Sequence, residues 1–143
     1  QAFLDTMAEA GIEVPATHMV VGMFTYRSGL GAARQLLALE PRPTAIFCSN
    51  DDMAAAAMAM AHGMGLHIPD ELSIVGFDDT PMATTLWPEL TTIRQPVTAM
   101  GKAAIALMLE RIRDRREGRE RTPRHQVMKF SLVKRQSASA PAR

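Results

Sequence analysis

Residues 43–54 read PTAIFCSNDDMA and join a short apolar run to a stretch rich in alanine and methionine. The run at 44–48 is almost continuously apolar, as the buried strands of parallel sheets are. Asn50, Asp51 and Asp52 stand where this predicted strand passes into a helix, and amides and carboxylates are favoured at helix starts. The stretch therefore predicts a strand–turn–helix unit, whose polar residues are candidates for capping the helix, for holding a ligand, or for both.

The same alternation of short apolar strands and helices extends to both sides of this unit. Its spacing is typical of βαβ crossovers and hence of a parallel sheet. The sequence therefore predicts an α/β fold with a parallel sheet and flanking helices. The predicted strands cover residues 18–24, 44–48 and 72–77, and the predicted helices cover residues 2–10, 28–39 (with Ser28 as its N-cap) and 52–64.

The pattern changes after residue 77. An irregular loop at 78–90 leads to a β-prone piece at 91–94, which Pro96 ends. A long amphipathic helix is expected from residue 97 to about 116. It is followed by a charged connector that ends at residue 124 and a last strand at 127–134. The tail at 136–143 is rich in Ser, Ala and Pro and is predicted to be disordered.

Composition limits the kinds of partner. Hydrophobic residues make up 47% and charged residues 22%, which indicates a globular chain. The net charge is +1, and the arginines of the connector alternate with acids, so this stretch predicts a solvated helix end instead of a nucleic-acid surface. Cys48 is the single cysteine and is expected to be a core residue on a strand. No apolar run approaches the roughly 20 residues that span a bilayer. Because the chain begins with Gln1 instead of Met, it is expected to be part of a longer one.

Polar residues collect where the predicted strands end, and ligands of open parallel sheets bind at that edge. Asn50 and Asp78 follow strands that are expected to be neighbours. An amide donates and accepts, and a carboxylate accepts from two hydroxyl groups, so the pair suits a neutral polyhydroxy ligand. Phe24, at the end of the first predicted strand, would supply an apolar face. Each polar residue taken alone is as well explained as a helix cap or a turn residue.

An enzyme is the alternative that this edge leaves open. Asp51, Asp52, Asp78 and Asp79 are the residue type that holds Mg²⁺ for phosphoryl chemistry. That interpretation needs a partner lysine or nucleophile at another strand end, and the sequence shows none there. The sequence also lacks the GxxxxGKS, GxGxxG and HExxH motifs. No catalytic residue and no cofactor is therefore predicted.

Five stretches together resemble one family, in both order and spacing. They are PTAIFCSNDDMA, GLHIPDELSIVGFDD (65–79), PELTTIRQP (88–96), MGKAAIALMLERI (100–112) and FSLVKRQS (130–137). Together they resemble the lac repressor/galactose repressor family of bacterial transcription regulators. The resemblance extends from Phe3 to Ser137 and is most specific between Pro43 and Gln95.

The resemblance implies an architecture and a location. Proteins of that family carry an N-terminal helix-turn-helix and an effector-binding core of two lobes like those of periplasmic sugar-binding proteins. This chain would then hold an incomplete, periplasmic-binding-protein-like (type I) lobe of a cytoplasmic regulator. Residues 1–90 and 125–135 would belong to the C-terminal lobe, and residues 91–124 would cross to the N-terminal lobe. Operator DNA would be bound only through the N-terminal domain, which lies outside these residues.

The resemblance also implies roles for individual residues. Asn50 matches the amide that bonds the effector, and Asp78 matches the carboxylate that binds its hydroxyl groups. Phe24 matches the aromatic that packs on the effector, and Asp52 matches a secondary polar position. The effector would be a sugar or another polyhydroxy compound.

A homodimer or larger assembly is expected from the loop PMATTLWPEL (81–90) and from helix 52–64. The loop carries Met82, Leu86 and Trp87 outside any regular element, where apolar side chains indicate a partner surface. The helix is apolar on nearly every side, and the resemblance places Met58 and Leu86 at the subunit contact. A periplasmic sugar-binding protein that serves a transporter, with the same architecture, is the second interpretation; a magnesium-dependent enzyme is the third.

Overall fold

The computed structural model describes residues 2–119, 122 and 124–140. Within them the chain forms four helices and four short strands, with 3₁₀ turns at Ala16–His18 and Pro81–Thr84. In chain order the elements are α1 (Ala2–Glu9), α2 (Tyr26–Leu37), β1 (Ala45–Phe47), α3 (Asp51–Gly63), β2 (Ser73–Val75), β3 (Thr92–Arg94), α4 (Val97–Arg116) and β4 (Ser131–Val133). None of the described helices is long and apolar enough to span a membrane.

The predicted βαβ unit is present and confirms the α/β fold. β1 and β2 pair in parallel, with Ala45 opposite Ser73 and Phe47 opposite Val75, and α3 makes the crossover between them. Parallel bridges, Val75 to Thr91 among them, continue β2 toward β3. β3 in turn pairs antiparallel with β4.

The core lies around α3, in which eight of thirteen residues are buried. Ala54, Ala56 and Ala61 are fully buried along it, because α2 covers one side and the sheet covers the other. The two helices approach closely at Gly29, where an added Cβ would lie 2.8 Å from the Cβ of Ala56. Each fully buried large apolar side chain contributes about 1.5–3 kcal/mol of transfer free energy. Those side chains are Met58, Leu72, Ile74 and Leu90.

The predicted strand at 18–24 is wrong. After the 3₁₀ turn the chain is irregular, and Val21 and Met23 are 93% and 75% exposed. A strand exists only when another backbone satisfies its N–H and C=O groups. In the described part of the chain the ladders and bridges join only residues after 44, so the segment 18–24 has no pairing partner.

Two other element ends differ from the prediction. The N-cap of α2 is Thr25, and Ser28 is the third residue of the helix. The two form a capping box, in which each side chain accepts from the other's backbone N–H. The last strand is only three residues long because β3 offers only three residues to pair with, and Pro96 follows soon after.

The predicted disorder of 136–143 is wrong for residues 136–140; residues 141–143 lie outside the described part. Ser137 is fully buried, donates from Oγ to the carbonyl of Ile74 (2.6 Å) and accepts from the N–H of Thr91 (2.8 Å). Its own carbonyl accepts from the N–H of Ile74 (2.8 Å). The segment therefore lies along β2 and joins it to the start of β3.

Candidate ligand-binding site

Asn50 and Asp78 lie at the same edge of the sheet. Each comes three residues after one member of the pair Phe47 and Val75, which are opposite each other in the parallel register. The carboxyl ends of parallel neighbours meet at one edge, which is where open α/β sheets bind ligands. The structure thus brings together the two polar residues that the sequence singled out.

Asn50 is the N-cap of α3 and also binds a distant loop. Its Oδ1 accepts from the N–H of Met53 (3.0 Å), and its Nδ2 donates to the carbonyl of Phe24 (3.0 Å). A primary amide has two N–H donors and two oxygen lone pairs. One donor and one lone pair therefore remain for a ligand, so the capping and ligand-holding interpretations are compatible.

Phe24 presents its ring to solvent at this edge. The residue is 64% exposed, and its backbone has φ +53°, in the left-handed region that bulky residues rarely adopt. Strained residues of this kind persist only where the surroundings hold them, and they cluster at functional sites. The carbonyl bond from Asn50 is one such restraint.

Asp78 also has a left-handed backbone, with φ +108°. Its N–H donates to the carbonyl of Ile93 (2.9 Å), and its Oδ1 accepts from Nε2 of Gln95 (2.8 Å). The other carboxylate oxygen is available to a ligand. Gln95 is not among the residues predicted for the site; its place directly after β3, at the polar edge, is the sequence signal for it.

Asp51 is a buried structural residue. Its Oδ1 accepts from the hydroxyl of Thr92 (2.6 Å), and its Oδ2 accepts from the N–H (2.7 Å) and hydroxyl (3.1 Å) of Thr80. Gly76 makes room for it, because an added Cβ there would collide with Oδ1. Asp52, one residue on, is half-buried in the first turn of α3, and its side chain has no hydrogen-bond partner among the described residues.

Asp79 binds two arginines. Burial raises the pKa of its carboxyl, but the hydrogen bonds and charges of Arg135 and Arg94 outweigh burial and hold that pKa below its ordinary value. Asp51 and Asp79 are thus engaged by the protein itself. No group of three or more metal-binding side chains occurs in the described part of the chain. The geometry therefore gives no support to a magnesium site.

Cys48 is the core residue that the sequence predicted. It is 6% exposed, and burial, with a smaller contribution from the negative charge of Asp51, raises the pKa of its thiol to about 12. A thiol with that pKa stays protonated at neutral pH and is a poor nucleophile.

The four residues predicted at the subunit contact lie in different environments. Trp87 is 78% exposed, and Met82 and Leu86 are half-buried, with Leu86 against the core. Met58 is only 1% exposed, because it packs inside its own lobe. A residue already buried in one protomer cannot contact a second one, so the assignment of Met58 is corrected to the core.

This combination defines a class of protein. A parallel α/β lobe carries an amide and a carboxylate at the carboxyl ends of its strands, and the backbone of an exposed aromatic residue is hydrogen-bonded to the amide. This is the arrangement of a small-molecule-binding lobe. The sequence matches the periplasmic binding protein-like domain over residues 1–138, and the chain belongs to that family.

Curated relatives agree with the resemblance to the lac repressor/galactose repressor family. The chain is 41% identical over 119 residues to the HTH-type transcriptional repressor PurR of Photobacterium profundum, covering 83% of this chain and 36% of that protein. It is 43% identical over 115 residues to the PurR of Klebsiella pneumoniae strain 342, covering 80% of this chain and 34% of that protein. The chain thus spans about a third of the length of these relatives.

Solved structures agree as well. A CelR transcriptional regulator in complex with cellobiose superposes with a TM-score of 0.87 at 32% identity, over 96% of this chain and 41% of that one. A LacI-family regulatory protein from Chloroflexus aggregans gives 0.83 at 38%, over 97% and 49%. A LacI-family regulator from Lactobacillus casei with bound sucrose gives 0.79 at 31%, over 96% and 50%. These proteins are named as regulators, not as enzymes.

Proposed function

We propose that the chain is the effector-binding part of a bacterial transcription regulator of the lac repressor/galactose repressor family. A small polyhydroxy molecule would bind between two lobes, and operator DNA would be bound by an N-terminal helix-turn-helix. The observation that carries the proposal is the juxtaposition of Asn50 and Asp78, with Phe24 hydrogen-bonded to the former. The cellobiose and sucrose bound by two structural neighbours support a carbohydrate effector.

Each group has a distinct role in this proposal. Asn50 gives its remaining N–H and lone pair to ligand hydroxyls, and the free oxygen of Asp78 accepts from a hydroxyl. Phe24 covers the apolar face of the ring, and Asp52 contributes a secondary polar contact. Binding is recognition without chemical change, so no catalytic residue or cofactor is required.

The second lobe is proposed from α4. Within this helix the side chains of Met100, Ile105, Met108 and Leu109 are 41–62% exposed, and its one buried residue is Asp114. A row of exposed apolar side chains of this size indicates a surface that packs elsewhere. We assign residues 1–90 and 125–135 to the C-terminal lobe and residues 91–124 to the crossing toward the N-terminal lobe.

Effector binding would act by differential affinity for two poses of the lobes. The regulator would be a cytoplasmic homodimer or larger assembly, with Trp87, Leu86 and Met82 at the contact. A periplasmic sugar-binding protein is the alternative, since the family is named for such proteins. The coding sequence upstream of residue 1 distinguishes the regulator from the transport protein. A helix-turn-helix there supports the regulator, and a secretory leader supports the transport protein.

Calorimetry tests the site. The complete gene product that carries this chain would be titrated with cellobiose, sucrose and adenine. Adenine is included because an amide, a carboxylate and an aromatic also suit a planar heterocycle. Asp78→Asn should weaken binding about tenfold or more, since a buried ligand hydroxyl loses its charged acceptor. Asp70→Asn is the matched control, because Asp70 is exposed near the opposite end of β2. Equal affinity of wild type and Asp78→Asn would remove Asp78 from the site.

A further inference from the structure

One carboxylate ties together three parts of the chain beside the candidate site. Asp79 follows β2, Arg94 ends β3, and Arg135 comes two residues after β4. Asp79 Oδ2 accepts from Nε of Arg94, and its Oδ1 accepts from Nη2 of Arg135 at 2.7 Å. We call this group of three residues the Asp79 node.

The inner half of the node is shielded from water. The side chains of Asp79 and Arg135 are 6% and 11% exposed, whereas that of Arg94 is 58% exposed. Arg135 also donates from Nη1 to the carbonyl of Leu90 (2.8 Å), so its planar guanidinium is held by two acceptors at once. A charge-assisted bond with an inflexible donor fixes direction as well as distance.

The Asp79 node restrains a backbone segment whose conformation is unfavourable on its own. Asp78 and Asp79 are consecutive residues in the left-handed region, with φ +108° and +54°. Such conformations persist only where neighbouring groups impose them. Apart from the node, Asp78 forms a parallel bridge with Arg94, in which its N–H donates to the carbonyl of Ile93 (2.9 Å), and its side chain accepts from Gln95 (2.8 Å). The N–H of Asp79 makes a longer bond to the hydroxyl of Thr92 (3.4 Å).

We propose that Asp79 is a positioning residue for the Asp78 carboxylate: through Arg94 and Arg135 it fixes the two left-handed residues, and so directs Asp78 toward the ligand. The inference rests on the proposed function, because it gives Asp78 a ligand. The Asp79 node also links the Asp78 carboxylate, which would bind the ligand, to β3 and to the segment after β4. A change in the direction of those strands would turn Asp78, and a ligand held by Asp78 would favour one direction of the strands.

Asp79→Asn isolates this role. Asparagine tolerates the left-handed backbone as well as aspartate does, so the substitution adds no strain of its own. It removes the charge that holds two guanidinium groups. Glu89→Gln is the matched control, because Glu89 is the outer carboxylate on Arg135, at 3.8 Å and 45% exposed, and the same change there leaves Asp79 intact.

The first measurement needs no ligand. Hydrogen exchange of the complete gene product would be followed in peptides that cover 77–80 and, as a core reference, 45–48. Asp79→Asn should speed exchange at 77–80 about tenfold, with the reference peptide and Glu89→Gln unchanged. Unchanged exchange at 77–80, or an equal increase in both peptides, would overturn the inference, since the latter would mean a general loss of stability.

The second measurement is a double-mutant cycle on cellobiose affinity. If Asp79 acts through Asp78, Asp79→Asn should weaken binding in the wild type and have no further effect in an Asp78→Ala background. Additive losses would overturn the inference. Strong cellobiose binding that neither variant changes would count against the proposed site as well. No cellobiose binding by the wild type would count against the carbohydrate effector, while the exchange result still decides the role of Asp79.

Discussion

Asn50 donates a hydrogen bond from Nδ2 to the carbonyl of Phe24 at 3.0 Å, between residues 26 positions apart. The same side chain accepts from the N–H of Met53 and so begins α3. One amide therefore starts the helix and holds a left-handed aromatic at the sheet edge. Capping and site geometry share a residue, and substitutions can separate the two.

Asn50→Ser and Asn50→Ala should differ in stability. Serine keeps an oxygen that caps α3 but loses both amide donors, whereas alanine loses the cap as well. We expect Asn50→Ala to have a free energy of unfolding about 1 kcal/mol below that of Asn50→Ser, the usual contribution of an N-cap. Urea unfolding measures it. Equal stability would show that the amide oxygen does not act as the cap.

Phe24→Gly should be more stable than Phe24→Ala. The ring is mostly exposed, so its removal costs little packing in either variant. Alanine keeps the left-handed conformation at about 1–2 kcal/mol, and glycine adopts it without that cost. Part of the difference is lost to the greater backbone entropy of unfolded glycine, so we expect a net gap of about 0.5–1 kcal/mol. Thermal unfolding checks this, and an alanine variant as stable as the glycine one would contradict the strain.

The β1–α3–β2 unit was predictable because its signals are local. A short apolar run, an amide at the cap and a stretch of good helix formers each act within a few residues. The meeting of Asn50 and Asp78 at one edge followed from parallel topology alone. The segment 18–24 has the same apolar character, yet its state depends on a pairing partner, which local sequence does not reveal.

The features that the sequence did not predict are long-range. Asp79 binds Arg135 from 56 residues away, and Ser137 bonds to Ile74 across 63. The Ser- and Ala-rich composition around Ser137 indicates disorder when it is considered alone. Side-chain bonds to a strand edge overrode it. The family resemblance implied a subunit contact for Met58, and the sequence of its helix did not correct this, because a helix that is apolar on nearly every side does not show which sides will be covered.

The thiol of Cys48 should make stability fall at high pH. Its pKa is about 12 in the folded chain against an ordinary value of 9.0. Between these values the unfolded chain has released the thiol proton and the folded chain retains it, so the unfolded state binds fewer protons and stability falls as pH rises. The loss approaches about 1.4 kcal/mol per pH unit.

Denaturant unfolding at pH 8–11 checks this, with Cys48→Ala as the control. All other ionisable groups are common to the two proteins, so the difference between their free energies of unfolding isolates the thiol. The difference in free energy of unfolding between wild type and Cys48→Ala should narrow as pH rises. A constant difference would contradict the raised pKa.

Met58→Ala should destabilise the fold without changing assembly. Met58 is fully buried in its own lobe, and removing a buried methionine side chain costs about 2–5 kcal/mol. Met64→Ala is the control at the exposed end of the same helix, and a change of under about 0.5 kcal/mol is expected there. Urea unfolding measures stability, and sedimentation measures assembly. A destabilisation no larger than that of the control would contradict the burial of Met58 in the core.

Trp87→Asp should have the opposite effect, on assembly and not on the fold. The indole is 78% exposed in a loop beside Met82 and Leu86, so a charge there disturbs little of the protomer's own packing. A two-fold contact contains the same patch on both chains, so one substitution introduces two buried charges. We expect analytical ultracentrifugation of the complete gene product to show dissociation toward monomer. The free energy of unfolding of the lobe should stay within about 0.5 kcal/mol of wild type.

Thr84→Asp places the same charge on an exposed residue of the same loop without removing apolar surface, and it should dissociate less. A Trp87→Asp protein that sediments as the wild type does would remove this loop from the subunit contact.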